Sequence, residues 1–146
     1  MITLLILLNL PGHVLAQTPQ LILPDGTGAW LVQVLTTGGI LGKGDLDFAV
    51  SSEGKMTCNV EVRCPKNFKP ADFHPLVETI RADLFLVRPS PAISLCSDCI
   101  TRRISISQRD TMGNVQTYTA WWDETTRDQV PQEVIRIYDA FRALMK

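Results

Sequence analysis

The chain has 146 residues, with 14 basic and 15 acidic side chains, a length typical of one domain with its own hydrophobic core. Its formal net charge of −1 provides no general positive field for nucleic acid or for an anionic membrane surface. A hydrophobic content of 45% with a charged content of 20% is typical of a globular protein and excludes disorder as the main state.

The N-terminal segment predicts export. Residues 2–10 are almost entirely apolar, and a Pro-Gly pair ends the run. Residues 14–16 (Val-Leu-Ala) resemble the small-residue cleavage site of signal peptidase. The apolar run is shorter than the roughly 20 residues needed to cross a hydrocarbon core. We therefore expect residues 1–16 to be a signal peptide cleaved after Ala16, and the protein to be secreted or periplasmic. No Lys or Arg precedes the run, and the alternative is a buried N-terminal strand or helix.

Residues 17–28 are rich in Pro and Gly and predict a flexible leader before a single domain over residues 29–146. The apolar run Trp30–Leu35 predicts a first strand. Apolar and polar residues alternate over Leu46–Ser51, the period of a half-buried strand. The tripeptide at 53–55, Glu-Gly-Lys, predicts a hairpin turn followed by a further short strand.

The second half of the chain predicts a helix, two strands and a closing helix. One face of the first helix consists of Phe73, Leu76, Val77, Ile80 and Leu84. Either Asp72 or His74 is suited to cap its start. Strands are predicted over residues 100–108 and 115–122. After Pro131 an apolar stripe predicts a last helix, formed by Val134, Ile137, Tyr138, Phe141, Leu144 and Met145. The order β-β-(β)-α-β-β-α predicts an α+β fold, an antiparallel sheet of about four strands packed on one face by two α-helices.

Four cysteines, Cys58, Cys64, Cys96 and Cys99, predict two disulfides in an exported chain. Pairing of neighbours would close two short loops, whereas crossed pairing would tie the two segments together and add more stability. Two further interpretations are a redox-active Cys-x-x-Cys pair at 96–99 and a four-cysteine zinc site. A redox pair usually precedes a helix, but a strand is predicted after Cys99. The first pair has five intervening residues, more than zinc sites normally have.

The sequence contains no recognisable catalytic set. Because His13 lies in the predicted signal peptide, His74 is the only imidazole of the domain, and we interpret it as a capping or surface residue. The glycine-rich segment 38–44 differs from a phosphate loop at both ends, with Thr37 in place of the first Gly and Gly44 in place of the hydroxyl residue. We therefore expect a non-enzymatic protein with no cofactor, no metal and no nucleic-acid partner.

Two features predict contact with another protein. Glycines in the 38–44 loop permit the close approach of a foreign backbone. Trp121 and Trp122 are adjacent on a strand and face opposite sides, so we expect one to pack beneath the helices and the other to lie on the open face or at the sheet edge. The alternative is that loops or disulfides partly bury both. Tryptophan is enriched at interfaces. The candidate partner contacts are Gly38, Gly39, Gly42, Lys43 and Trp122.

The order of two segments along the chain is similar to that in a known protein family. Residues 34–42 form a strand that runs into a Gly-Gly-x-x-Gly turn, and residues 118–121 (Tyr-Thr-Ala-Trp) precede a polar loop, Val130-Pro131 and an amphipathic helix. This order resembles the emfourin family, small bacterial proteins that inhibit thermolysin-like metalloproteases such as protealysin. The resemblance spans most of residues 30–145. It implies a non-enzymatic inhibitor that blocks a protease cleft with flexible segments such as the leader and the glycine loop.

The chain also departs from this family in three respects: the predicted signal peptide, the leader and the four cysteines. For that reason no inhibitory residue is transferred from the family to this sequence. The alternative function is a secreted interaction or structural domain that inhibits no protease.

Overall fold

The computed structural model describes residues 21–38, 45–58, 64–65, 68–80 and 99–144. Its strands are β1 (Trp30–Thr37), β2 (Asp45–Ser51), β3 (Met56–Cys58), β4 (Thr101–Arg109) and β5 (Val115–Trp122). Its helices are α1 (Pro70–Glu78) and α2 (Gln132–Leu144), the second preceded by a 3-10 turn at Arg127–Gln129. The predicted signal peptide over residues 1–16 lies outside the described residues.

The strands form one sheet in the order β3-β2-β1-β4-β5, in which every neighbouring pair is antiparallel. This confirms the predicted α+β class and the antiparallel sheet, with five strands where about four were expected. β1 is the central strand, because it pairs with β2 on one side and with β4 on the other. The β1–β4 contact joins segments about seventy residues apart in sequence.

The core lies between the sheet and both helices. Alternate residues of the strands point towards the helices, and the sheet residues in the core cluster are Trp30, Val32, Val34, Phe48, Val50, Ile104, Ile106, Tyr118, Ala120 and Trp122. The helices contribute residues of the predicted apolar stripes, namely Phe73, Val77, Val134, Ile137, Tyr138 and Phe141, together with Ile135. Leu84 and Met145 of those stripes lie outside the described residues. The prediction that both helices cover one face of the sheet is therefore confirmed.

A cluster of four phenylalanine rings joins α1, α2 and β2. The ring of Phe141 stacks on Phe73 with their centroids 4.3 Å apart, and it also contacts Phe48 at 5.4 Å and Phe68 at 5.9 Å. Phe68 in turn stacks on Phe73 at 5.1 Å. Because Phe141 contacts all three other rings, it joins α2 to α1 and β2 within this aromatic cluster.

Helix α1 starts earlier and ends earlier than its apolar face predicted. Lys69 occupies the N-cap position, so the prediction that Asp72 or His74 caps the helix is wrong. The cause is Pro70, whose fixed φ suits the first helical position. The helix ends at Glu78, although Ile80 is still buried in the core after the turn.

A bulge interrupts the predicted alternation of β2. Val34 of β1 is opposite Phe48, but the next residue, Leu35, is opposite Leu46, which leaves Asp47 as an extra residue. The Thr36 hydroxyl donates a hydrogen bond to the Asp47 carboxylate at 2.5 Å. The register therefore shifts by one residue at Asp47, a break that the period-two prediction for this strand did not include.

The second half of the predicted leader is hydrogen-bonded to the sheet. Arg109, at the end of β4, accepts a hydrogen bond from the Gly28 amide at 3.1 Å through its carbonyl oxygen. Its guanidinium donates to the carbonyl oxygen of Pro24 at 3.4 Å. Pro24 is buried. Residues 24–28 are thus anchored to one end of the sheet, where the sequence predicted a flexible segment.

One disulfide is local. Cys58 and Cys64 are bonded, with their Cα atoms 5.4 Å apart, and this pairing excludes both crossed arrangements. Cys99 is also disulfide-bonded, and Cys96 lies outside the described residues. The bridge therefore closes a short loop after β3, and the predicted pairing of neighbours is confirmed at this pair.

The turn between β4 and β5 is organised by Asp110. One carboxylate oxygen accepts the backbone amides of Met112 and Asn114, each at 2.8 Å, and the other accepts the Asn114 side-chain amide at 3.0 Å. These hydrogen bonds, with that from the Asn114 side chain the largest contribution, lower the pKa of Asp110 below its ordinary value of 3.8.

We expect an NMR titration to give a pKa below 3.8 for Asp110. Since the folded-state pKa is depressed, the stabilisation by this carboxylate is present above the unfolded pKa and is lost as the pH falls through the folded one. In the Asn114→Ala variant, the pKa should rise towards the ordinary value because the largest contribution is removed. A wild-type pKa at or above 3.8 would contradict the hydrogen bonds described for this turn.

Candidate binding surface at the end of the sheet

Two of the predicted partner contacts, Gly38 and Trp122, lie at one end of the sheet, where β1, β4 and β5 meet. β1 ends opposite the start of β4, where Thr37 pairs with Thr101. β5 ends there as well, because Trp122 pairs with Arg102. We name this region the Gly38 end and define it by Gly38, Arg102, Arg103, Trp121 and Trp122.

Gly38 is in close contact with the backbone that precedes β4. Its φ of +111° lies in the left-handed region, and a Cβ built there would be 2.5 Å from the Cys99 carbonyl oxygen and 3.4 Å from the Cα of Ile100. The sequence predicted that glycine would admit a foreign backbone, whereas the backbone that approaches Gly38 belongs to the same chain. This contact holds the exit of β1 against the disulfide-bonded Cys99. Gly39, Gly42 and Lys43 lie outside the described residues.

The two adjacent tryptophans face opposite sides of the sheet, as predicted. Trp122 is only 1% exposed and lies under the helices, where it meets the Tyr138 ring edge-on with a centroid separation of 5.0 Å. Trp121 lies on the open face. The choice of Trp122 as a partner contact on that face is therefore wrong, because its ring is in the core. Trp121 is the tryptophan on the open face, and alternation alone could not show which of the two would be buried.

Trp121 forms a cation–π pair with Arg103. The guanidinium carbon of Arg103 lies 5.4 Å from the ring centroid, and the two residues are directly opposite on β4 and β5. Leu35 continues the same row on β1, since it is opposite Arg103. Arg103 is exposed, and Trp121 and Leu35 are half-buried. Sequence reasoning missed Arg103, although its position opposite Trp121 follows from pairing the two predicted strands.

On the helix side of the Gly38 end there is a cleft of about 350 Å³. Its lining residues are charged or aromatic: Arg102, Trp122, Asp123, Glu124, Arg127, Tyr138, Asp139 and Arg142. The Arg127 guanidinium donates to both oxygens of Asp139 at 2.6 Å. Asp123 is buried and accepts hydrogen bonds from the amide and hydroxyl of Thr125, both at 2.7 Å. These contacts fix the turn after β5 and one wall of the cleft.

His74 links α1 to β1. The indole N–H of Trp30 donates to Nδ1 of His74 at 3.1 Å, and Nε2 of His74 lies 3.0 Å from a carboxylate oxygen of Glu78. This arrangement assigns the imidazole proton to Nε2. Both ring nitrogens thus have partners that are not nucleophiles, so His74 belongs to no nucleophile–base pair in the described part of the chain. The side chain is exposed, as predicted, but caps no helix.

Within the described ranges, the geometry supports neither a four-cysteine zinc site nor a redox-active cysteine pair. No group of three or more His, Cys, Asp or Glu side chains in those ranges could hold a metal ion. Cys58 and Cys64 are bonded to each other, so neither is a thiolate ligand in this state. Cys99 is followed by strand β4, which lacks the helix N-terminus that activates a redox cysteine. In the same ranges, none of the helices has the length and apolar character needed to cross a membrane.

Comparisons with protein-family models, with curated proteins and with solved structures found no match to this chain. The function proposed below therefore rests on the geometry of the Gly38 end and on the sequence.

Proposed function

We propose that this protein is a secreted, non-enzymatic binding protein that contacts another protein through the open face of the Gly38 end. The observation that carries the proposal is the exposed Arg103 over the half-buried ring of Trp121, 5.4 Å from its centroid. Arginine and tryptophan are among the residue types that dominate binding energy at interfaces. The ring offers apolar area, and the guanidinium offers several hydrogen-bond donors beside it.

Two further observations support a rigid and exported binding surface. Gly38 packs against the backbone of Cys99, which holds β1 and β4 together next to the Arg103–Trp121 pair. Rigid surfaces lose less conformational entropy when they bind. Disulfide bonds persist in oxidising compartments, consistent with the export predicted from residues 1–16.

The resemblance to the emfourin family names the partner class for this proposal, a thermolysin-like metalloprotease. The test measures cleavage of a fluorogenic peptide by several such proteases, with the purified protein in molar excess. We expect inhibition by the wild type. We expect Arg103→Ser and Trp121→Thr each to weaken it by about tenfold or more, the loss typical of a dominant interface residue.

Thr117→Ala is the matched control for this experiment. Thr117 lies on the same face of the same strand as Trp121, but it pairs with Ser107 near the opposite end of the sheet. This variant should inhibit like the wild type. If every protease of the panel keeps full activity with excess wild type, the inhibitor hypothesis is contradicted. If all three variants lose inhibition equally, the proposed surface is contradicted.

The broader proposal of a secreted binding protein has its own test. Wild type and the Trp121→Thr variant would serve as parallel baits for the secreted fraction of the producing cells. A partner retained by the wild type and lost from the variant would support the proposal. If wild type and variant retain the same proteins, the proposed surface is wrong. Mature protein that does not begin at Gln17 would contradict the predicted cleavage after Ala16.

A further inference from the structure

β5 forms one edge of the sheet along its whole length. β4 lies on one side of it, and no described residue pairs with the other side. None of its eight residues is charged or a proline. Its register with β4 runs without a bulge from Val115 to Trp122. Proteins usually protect an exposed edge with charged side chains, proline, a bulge or a short strand, and β5 has none of these.

The opposite edge of the sheet differs in this respect. β3 has only three residues, and the chain after it is closed into a short loop by the Cys58–Cys64 disulfide. A strand of that length offers few backbone groups to a second chain. Of the two edges, β5 is therefore the one suited to accept a further strand.

The hydrogen bonds of β4 show which backbone groups of β5 point outward. The Arg109 amide donates to the Ala29 carbonyl at 2.9 Å, and the Arg109 carbonyl accepts the Gly28 amide at 3.1 Å. Both groups of Arg109 thus point to the β1 side, and this direction recurs at every second residue of an antiparallel strand. The residues opposite them on β5 are in non-hydrogen-bonded pairs, so their amides and carbonyls point away from β4. These outward residues are Val115, Thr117, Thr119 and Trp121.

We propose that β5 pairs with β5 of a second copy of this chain, antiparallel and about a two-fold axis, so that the two sheets become one. In the register centred on Tyr118, Val115 of each copy pairs with Trp121 of the other, and Thr117 pairs with Thr119. Each outward residue then donates through its amide and accepts through its carbonyl. A two-fold interface requires one surface that is complementary to itself, and this register meets that condition.

The side chains of the strand also favour a second copy. Val115 is an exposed apolar residue, 52% accessible, and in this register it is covered by the Trp121 ring of the other copy. An aromatic residue opposite a β-branched one stabilises antiparallel strands, and so does a pair of threonines. Because β5 is uncharged, no like charges meet when it pairs with itself.

The first test measures the molecular mass of the purified protein, with its disulfides intact, by analytical ultracentrifugation over a concentration series. We expect a monomer–dimer equilibrium. Thr117→Pro removes one outward amide hydrogen, at an edge position where proline is tolerated. It should weaken dimerisation by about tenfold or more, because the dimer loses this hydrogen bond twice. Thr117→Ala keeps the amide and should dimerise like the wild type.

The second test is amide hydrogen exchange followed by NMR, which locates the interface. The outward amides should exchange more slowly as the protein concentration rises, because pairing with the second copy protects them. The amides of Gln116 and Ala120 point to β4 and should be protected equally at every concentration. The same two amides report whether Thr117→Pro is folded.

A second variant decides the question if Thr117→Pro does not fold. The double variant Thr117→Lys with Thr119→Lys places like charges opposite each other in the proposed register, because position 117 of one copy pairs with position 119 of the other. It should be a monomer at concentrations where the wild type is a dimer.

Four results would overturn the proposal. They are a wild type that stays monomeric at every concentration, a dimer whose outward amides remain unprotected, outward amides already protected in the monomer by another part of the same chain, or unchanged dimerisation in the folded Thr117→Pro or the double variant. The proposal does not depend on the function proposed above, since it uses the backbone of β5. Arg103→Ser should therefore dimerise like the wild type, whether or not it inhibits a protease.

Discussion

Replacing Phe141 by Ala is expected to lower the free energy of unfolding by about 3–5 kcal/mol, the usual cost of deleting a fully buried phenylalanine ring. Phe141 is 1% exposed and stacks on Phe73 at 4.3 Å. Its ring also contacts Phe48 of β2 and Phe68. The variant would leave a cavity among three aromatic rings and remove the contacts of α2 with Phe48, Phe68 and Phe73. A small domain is stable by roughly 5–15 kcal/mol, so this single change removes a large share of the total.

Urea denaturation followed by tryptophan fluorescence measures this loss. Met112→Ala is the control, because Met112 is 77% exposed in the β4–β5 turn and its removal should change stability by less than about 0.5 kcal/mol. Phe141→Leu should lie between the two, since it keeps an apolar side chain in the same space. A loss below about 1 kcal/mol for Phe141→Ala would show that α2 does not depend on this cluster.

Gly38→Ala is expected to cost about 2–4 kcal/mol, from two separate effects. The backbone at φ +111° is a conformation that a residue with a Cβ rarely adopts. The new Cβ would also lie 2.5 Å from the Cys99 carbonyl oxygen, a backbone atom that cannot rotate away. The exit of β1 or the start of β4 must therefore move.

Gly113→Ala separates these two effects. Gly113 has a φ of +84° but nothing within 4 Å of the position of a Cβ. This control should lose only about 1 kcal/mol, the conformational part of the cost. Equal losses at the two positions would contradict the close contact between Gly38 and Cys99. If the Gly38 variant folds, the inhibition proposed above should weaken in the same protease panel, because a displaced β1 exit or β4 start would move the surface that contains Arg103.

The types and order of the elements could be predicted from the sequence, because they depend on local spacing. Period-two alternation located β4 to within one residue at each end. The Thr, Tyr and Trp residues that favour a strand gave the bounds of β5 as observed. The helical stripe located α2 and the face it buries. The turn around Gly54 was predicted from three adjacent residues and has the expected positive φ at that glycine. In each case the residues that decide the structure are neighbours in the chain.

Only the tertiary structure decided which strands are neighbours and which side chains meet. The pairing of β1 with β4, the burial of Trp122 rather than Trp121, and the contact between Gly38 and Cys99 all join segments distant in sequence. Alternation shows that two adjacent tryptophans face opposite sides, but the side that becomes the core depends on where the helices pack. The cleft at the Gly38 end was invisible in the sequence for the same physical reason, since its arginines come from separate elements that only packing brings together.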